Sequence, residues 1–280
     1  MIKADAYFKE NLTEILNYGN IDANPRPKYT DGKDAHSLFV TQVFEKYDIS
    51  RGEFPITTLR NTAIKGGISE IIWIYSRQSN DLDVLSGLGC NWWDSWNIGD
   101  AENRHIGERY GKTVENWGLV DSLINGLRND PFGRRHIMNL WQENDLRKEG
   151  GLHPCAYETM WSCRFRGKKM YLDMHLNQRS SDFCTAGSIN KIQYVALMMM
   201  IAHELGYEVG VFSHYVQNLH IYDRHIDAAN EILETKPLNI QPKIELFAQG
   251  KSFYEIETSD FKITGISEIK KIKSPLELAV

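Results

Sequence analysis

Residues Lys169 to Asn177 alternate strictly. Met170, Leu172, Met174 and Leu176 fall on one face, and Tyr171, Asp173, His175 and Asn177 on the other. A period of two predicts a strand with one buried face. The preceding run, Ala156 to Phe165, is rich in aromatic and β-type residues, and Arg166-Gly167 reads as a turn. The two runs predict a hairpin with Cys155 at its entrance and Gln178-Arg179-Ser180 at its exit, so those residues become neighbours. Helical spacing is seen over Met1 to Gly19, where Tyr7, Phe8, Leu12, Ile15 and Leu16 share a face, and over Asn61 to Arg77. Val114 to Leu127 and Asp223 to Thr235 also read as helices. Ser188 to Leu205 is apolar around its whole circumference and predicts a central buried helix, with Ser188 or Asn190 available as N-cap and Gly206 beyond its end. Ser37 to Phe44, Arg134 to Trp141, Val209 to Tyr215 and Ile240 to Leu246 read as strands, and turn formers fill 20 to 36.

The hairpin ends carry the candidate chemistry. An unperturbed thiol, pKa ~8.5, is mostly protonated at neutral pH. The Arg179 guanidinium beside Cys155 would favour the thiolate and make it a nucleophile; a small buried hydrophobe is the plainer role for a lone cysteine. Asp182 is placed to orient a substrate or a proton-carrying water. Asn190 offers a donor and an acceptor, matching the amide edge of a pyrimidine or a peptide. Glu70 sits among apolar helix positions, where a carboxylate costs free energy unless paired, so it reads as a structural ion pair or a proton relay. Asn91-Trp92-Trp93-Asp94-Ser95-Trp96 is core or an apolar wall for a flat heterocycle. Arg26 lies in a turn-rich loop, as a solvated cation or one reaching into a site. Arg134 and Arg135 are adjacent on a predicted strand and point to opposite faces, an awkward clamp for an anion within one chain. His220 and Tyr222 alternate and face one ligand. A metal at His220 and His225 lacks further ligands at useful spacing, and a zinc deaminase lacks its second cysteine after Pro154-Cys155.

The 280 residues fit one large domain or two small ones, with no internal repeat, low-complexity tract or linker. A net charge of −5 argues against a general nucleic-acid or membrane binder, so an anionic ligand must be held by local arginines. Four cysteines without a CxxC point to a reducing cytoplasm. The N-terminus is polar, without the pattern of a signal peptide, and the longest apolar run, Tyr194 to Ala202, is far short of the ~20 residues of a membrane span.

Pro154-Cys155, Gln178-Arg179-Ser180-x-Asp182, Asn190 and His220-x-Tyr222 stand in an order and spacing that resemble the thymidylate synthase family. The likeness runs from about Arg26 to the terminal Ala279-Val280. It implies one α+β domain over residues 1–280, a large mixed sheet covered by helices, with the other sheet face forming a symmetric homodimer. The activity implied is reductive methylation of dUMP to dTMP with 5,10-methylene-tetrahydrofolate as one-carbon and hydride donor, without a metal. Cys155 would add to uracil C6, Glu70 organise proton transfer and Tyr110 assist at the ring. Arg26 and Arg179 would bind phosphate, joined by Arg134 and Arg135 from the partner subunit. Gln178, Ser180 and Asn190 would bind the nucleotide, and His220 and Tyr222 its sugar hydroxyl. Trp93, Asp94, Asp182 and the terminal Ala279 and Val280 would meet the folate. The chain departs from the family pattern at Leu59, Ala156, Ala186, Gln217 and Asn218, all close to these sites. Two alternatives stay open: a dUMP or dCMP hydroxymethyltransferase of the same superfamily, and a dimeric nucleotide- or RNA-binding protein without turnover.

Overall fold

The computed structural model describes residues 1–148 and 150–280. Strands β1 (Asn20–Ile21), β2 (Ser37–Asp48), β3 (Ile137–Asn139), β4 (Ala156–Arg166), β5 (Lys169–Gln178), β6 (Ser181–Asp182) and β7 (Glu208–Tyr222) build one sheet. Its order is β1-β2-β7-β5-β4-β3, with β6 pairing on β7. The β5–β7 and β6–β7 pairs are parallel and the rest antiparallel. Strands β8 (Lys243–Leu246) and β9 (Phe261–Thr264) form a separate antiparallel pair. Helices α1 (Lys3–Tyr18), α2 (Ile64–Ile71), α3 (Leu82–Gly87), α4 (Gly111–Asn116), α5 (Leu119–Asn129), α6 (Glu143–Leu146), α7 (Gly187–Leu205) and α8 (Ile226–Glu234) complete the α+β fold.

The predicted alternation is realised on β5: Leu172, Met174 and Leu176 are buried, and Tyr171, Asp173, His175 and Asn177 are half-buried on the opposite face. That second face also exposes Phe44 and Met160, which pair in register with Tyr215 and His175. Helix α7 carries the parallel crossover from the β5–β6 edge to β7. It is buried on nearly every side from Gly187 to Ala202 and ends at Gly206 in the left-handed conformation, whose N–H bonds back to the Ala202 and His203 carbonyls. Helix α2 crosses α7 at Gly67, where an added Cβ would lie 3.1 Å from Ile189 and 3.3 Å from Gln193. This close approach sets Glu70 of α2 beside the first turns of α7.

Several elements differ from their sequence reading. The Asn61–Arg77 helix changes after Ile71 into a π turn over Ile72–Ser76. Val114–Leu127 is two helices, because Gly118 takes φ 54° and breaks the chain direction. Arg134 to Trp141 is extended only over Ile137–Asn139: His136 Nε2 bonds back to the Asp130 carbonyl at 2.7 Å, keeping the arginines in the preceding loop. Neither Ser188 nor Asn190 caps α7. Ala186 holds that position without a side-chain bond, while the Asn190 amide bonds other side chains. Strand β7 runs to Tyr222, past the predicted end at Tyr215, so His220 and Tyr222 lie on the ladder itself.

One charged group of α7 is wholly inside. Lys191 Nζ lies 2.7 Å from Glu45 Oε2, with both side chains 4% exposed, and Asn11 Nδ2 donates to Glu45 Oε1 at 2.8 Å. Lys191→Met would strand the carboxylate in the core and should cost about 3–5 kcal/mol, read from urea unfolding. A loss below about 1 kcal/mol, the worth of an exposed pair, would refute this.

Candidate active site

Cys155 directly precedes β4, and the ladder places it against the end of β5. The Arg179 N–H donates to the Cys155 carbonyl at 2.8 Å, and a register shift between Ala156 and Glu158 marks a bulge at this point. The Arg179 guanidinium donates to the carbonyls of Pro154 and His153, each at 2.9 Å, and its Nη2 is 3.5 Å from Cys155 Sγ. It lies 5.9 Å from the Trp141 ring centroid. The Tyr110 hydroxyl accepts from the Cys155 N–H at 3.1 Å. Tyr110 is held at φ 49°, ψ −108°, a conformation that few side chains adopt. The next residue must be glycine, because a Cβ on Gly111 would lie 2.1 Å from the Ser79 carbonyl oxygen.

The electrostatics correct one expectation. Burial pushes the Cys155 thiol up, and the charges of Arg179 and Arg26, with the Tyr110 hydroxyl, pull it down without cancelling that effect. Arg179 alone therefore does not hold the sulfur as thiolate at neutral pH.

A run of buried side chains leads from the exit of the hairpin to α2. His214 is kept neutral, its pKa pushed far down by burial and by Lys191. Its Nε2–H points to Gln178 Oε1 at 2.8 Å. Gln178 Nε2 donates to Asn190 Oδ1 at 2.9 Å, and Asn190 Nδ2 to Gln193 Oε1 at 3.0 Å. Glu70 follows, accepting from the Trp92 indole N–H. Burial pushes its carboxyl up to about 7, against the opposing pull of the Trp92, Trp93 and Gln193 side chains. The relay reading of Glu70 thus finds a carboxyl poised near neutrality, with no cation paired to it among the described residues.

Asp182, on β6, is paired with His220 across the ladder. Its carboxylate accepts from the Thr185 hydroxyl. Burial would raise its pKa, but His225, His220 and Thr185 bring it below the ordinary range. His220 Nδ1 donates to Asn218 Oδ1 at 3.0 Å, and its ring meets that of Tyr222 at 5.2 Å. Ser180 is half-buried, and its carbonyl accepts from Gln178 at 2.9 Å. Arg26 is exposed, and its charge is felt at Cys155, His153 and Tyr222, which places it at the same mouth. Trp93 packs 5.0 Å from the Tyr110 ring. Ala279 is buried against Tyr29 and Ala35, and Val280 exchanges two backbone bonds with Lys28 at 2.8 and 2.9 Å.

Not every candidate joins this cluster. Asp94 is exposed and paired with Arg104. Arg134 and Arg135 are exposed, without an ion pair among the described residues, and contribute no charge at Cys155. Trp92, Gln193, His214 and Trp141 belong to the site but were not singled out from the sequence. Gln193 was findable, since it lies three residues beyond Asn190 on one helix face. Of the departures, Ala156 accepts from the Tyr194 hydroxyl through its carbonyl at 3.2 Å, and Leu59 is core. Gln217 accepts from the Tyr215 hydroxyl.

A thiol flanked by a guanidinium and a strained tyrosine, beside a string of amides and a near-neutral carboxyl, is the arrangement of an enzyme site that can carry a sulfur nucleophile. The family model for thymidylate synthase matches residues 6–278. A thymidylate synthase of Streptococcus pneumoniae (strain 70585) is 44% identical over 272 residues, covering 96% of this chain and 97% of that one. The thymidylate synthase of Streptococcus pyogenes serotype M5 (strain Manfredo) is 42% identical with the same coverage. The structure of thermostable thymidylate synthase A from Bacillus subtilis superposes with a TM-score of 0.87 at 32% identity, covering 99% of both chains. The chain belongs to the thymidylate synthase family.

Glu70 holds its proton more tightly folded than unfolded. Its contribution to stability is therefore full below pH 4.5, the value of a free glutamate, and is lost as pH rises through about 7. That change is on the order of 3 kcal/mol at 1.36 kcal/mol per unit. Glu70→Gln should remove this slope from the pH dependence of unfolding, and identical slopes in both proteins would contradict it. Alkylation of Cys155 by iodoacetamide, followed by peptide mass spectrometry, should be slow at neutral pH and quicken through the alkaline range. Arg179→Gln should shift that profile further up. A rate already flat at neutral pH would mean a preformed thiolate.

Proposed function

We infer that this chain methylates dUMP to dTMP, taking both carbon and hydride from 5,10-methylene-tetrahydrofolate, and that Cys155 is its nucleophile. The observation that carries the assignment of roles is the placement of the Cys155 sulfur beside Arg179, in a chain of this family. Cys155 gives up its proton and its sulfur bonds to uracil C6. The electron pair at C5 then attacks the one-carbon unit. C5 loses its proton, the tetrahydrofolate leaves, and its hydride reduces the exocyclic methylene as the sulfur departs. Dihydrofolate is the second product, and the reaction requires no metal.

The half-buried, protonated thiol fits this sequence. A phosphate-bearing substrate drawn in by Arg26 and Arg179 excludes water, and proton loss accompanies C–S bond formation rather than preceding it. Glu70, with a pKa near 7, is suited to pass a proton at the ring. The Asn190 amide is oriented on one side by Gln178 and on the other by Gln193, leaving an acceptor and a donor position for the uracil edge. His220 and Tyr222 take the sugar hydroxyl. Asp182, Trp93, Asp94 and the terminal Ala279-Val280 take the folate. The whole chain acts as one catalytic domain in a reducing, cytoplasmic compartment.

The active unit is a symmetric homodimer. The exposed Phe44 and Met160 are the apolar part of the sheet face that pairs, and Arg134 and Arg135 reach the partner's nucleotide phosphate. The first assay follows dihydrofolate by absorbance and nucleotide by mass. Thymidylate with matching dihydrofolate, abolished by Cys155→Ala, is expected. Hydroxymethylated nucleotide without dihydrofolate would refute the methylation. Mixing inactive Cys155→Ala protein with inactive Arg134→Ala/Arg135→Ala protein, then allowing subunits to exchange, should restore roughly a quarter of full activity, because mixed dimers hold one intact site. Dimers that exchange without recovery would place the arginines elsewhere.

A further inference from the structure

His225 is fully buried between two groups that belong to different parts of the site. Its Nε2 lies 2.8 Å from the Glu277 carbonyl oxygen. A carbonyl only accepts, so Nε2 carries the hydrogen. Its Nδ1 faces Asp182 Oδ1 at 3.6 Å. Both of these facing atoms are buried and have no hydrogen-bond partner within reach, so the form of the ring that meets the carboxylate is the imidazolium, in which both nitrogens donate. The imidazole thus spans from a carboxylate at the floor of the site to the backbone of the C-terminal tail. Its ring is held edge-on to Tyr222, with centroids 5.7 Å apart.

The tail's other anchors lie nearer the surface. Glu231 receives the N–H groups of Lys273 and Ser274. The Glu277 carboxylate takes Arg224 at 2.7 Å and Thr30 at 2.9 Å. Val280 pairs with Lys28. The exposed ion pairs among them are individually weak and screened by salt, whereas a bond to the fully buried His225 is not.

We propose that His225 is a positioning residue that latches the C-terminal tail to Asp182, so that the folate side of the site is complete only while this imidazole bridges the two. The proposal rests on the reading of Asp182 and the terminal residues as folate contacts. It assigns His225 no contact with substrate. Its effect falls on the folate step and spares dUMP binding.

Two substitutions separate its ends. The amide nitrogen of asparagine falls where Nδ1 stands, and that of glutamine where Nε2 stands. His225→Asn keeps the side facing Asp182 and loses the tail bond, and His225→Gln does the reverse. Loss of one net hydrogen bond, about 1 kcal/mol, corresponds to a factor of about five. Carboxypeptidase should accordingly release Val280 and Ala279 about fivefold faster from His225→Asn, and near the wild-type rate from His225→Gln. The KM for methylene-tetrahydrofolate should rise by a similar factor in His225→Asn, with that for dUMP within roughly twofold of wild type. Equal release from both variants and wild type, or a parallel rise in both KM values, would overturn the latch. Carboxypeptidase release needs no turnover, so it stands even where the wild-type protein makes no thymidylate. His225→Gln covers the case in which the asparagine variant fails to fold: a glutamine variant that folds yet frees its tail would equally overturn the proposal.

Discussion

Helix α7 is the constraint on which the site depends. It packs on the sheet and is buried on nearly every side from Gly187 to Ala202. A polar group that enters this layer needs a partner, because an unpaired buried donor or acceptor costs about 1–3 kcal/mol. Lys191 meets the demand with Glu45 and Asn11. Asn190 meets it by joining Gln178 and, through it, His214 on one side and the Gln193 side-chain oxygen on the other, while the buried Gln193 Nε2 has no partner among the described residues. The direction of that string is not arbitrary. His214 is neutral and donates from Nε2, so Gln178 presents its oxygen there and its amide nitrogen to Asn190. The same demand fixes which atom of Asn190 faces Gln193, and with it what remains for a ligand.

The same burial pushes two acids upward and gives them different uses. Glu70 and Cys155 are both raised by burial. Glu70 has only uncharged donors near it and settles at about 7, a value suited to exchanging a proton. Cys155 has two arginines working against its burial, yet the thiol form persists. Arg179 spends much of its hydrogen-bonding capacity on the carbonyls of His153 and Pro154. It therefore shapes the loop that presents the sulfur as well as acting on its charge. Tyr110 does similar work through the Cys155 N–H, from a backbone conformation held by the glycine that follows.

Much of this was legible in the chain. The alternation on Lys169–Asn177 and the circumferential apolarity of Ser188–Leu205 follow directly from burial, and both elements formed as read. Placing Cys155 beside Arg179 needed only a hairpin. Misreadings arose where a local signal was overruled by a distant partner. Arg134 to Trp141 has strand-like residues, but His136 turns back to Asp130 and shortens the strand. Asn190 suits an N-cap, but its amide is more strongly required inside the core. Val114 to Leu127 has helical spacing throughout, and only the backbone of Gly118 shows the break. Trp92 stood within the tryptophan run read as a wall, and only the fold shows its indole N–H bonded to Glu70.

The departures at Ala156 and Asn218 are read best as parts of the same economy. Ala156 is buried and offers only its carbonyl, which Tyr194 of α7 takes at 3.2 Å. A larger polar side chain there would need its own partner in a layer where the nearby amides are already committed. Asn218 supplies an acceptor to His220 Nδ1 at 3.0 Å, which fixes the imidazole hydrogen on the nitrogen away from the ligand. Nε2 of a neutral His220 is thereby left as an acceptor. At both positions the polar atom on offer is thus taken by a neighbouring side chain.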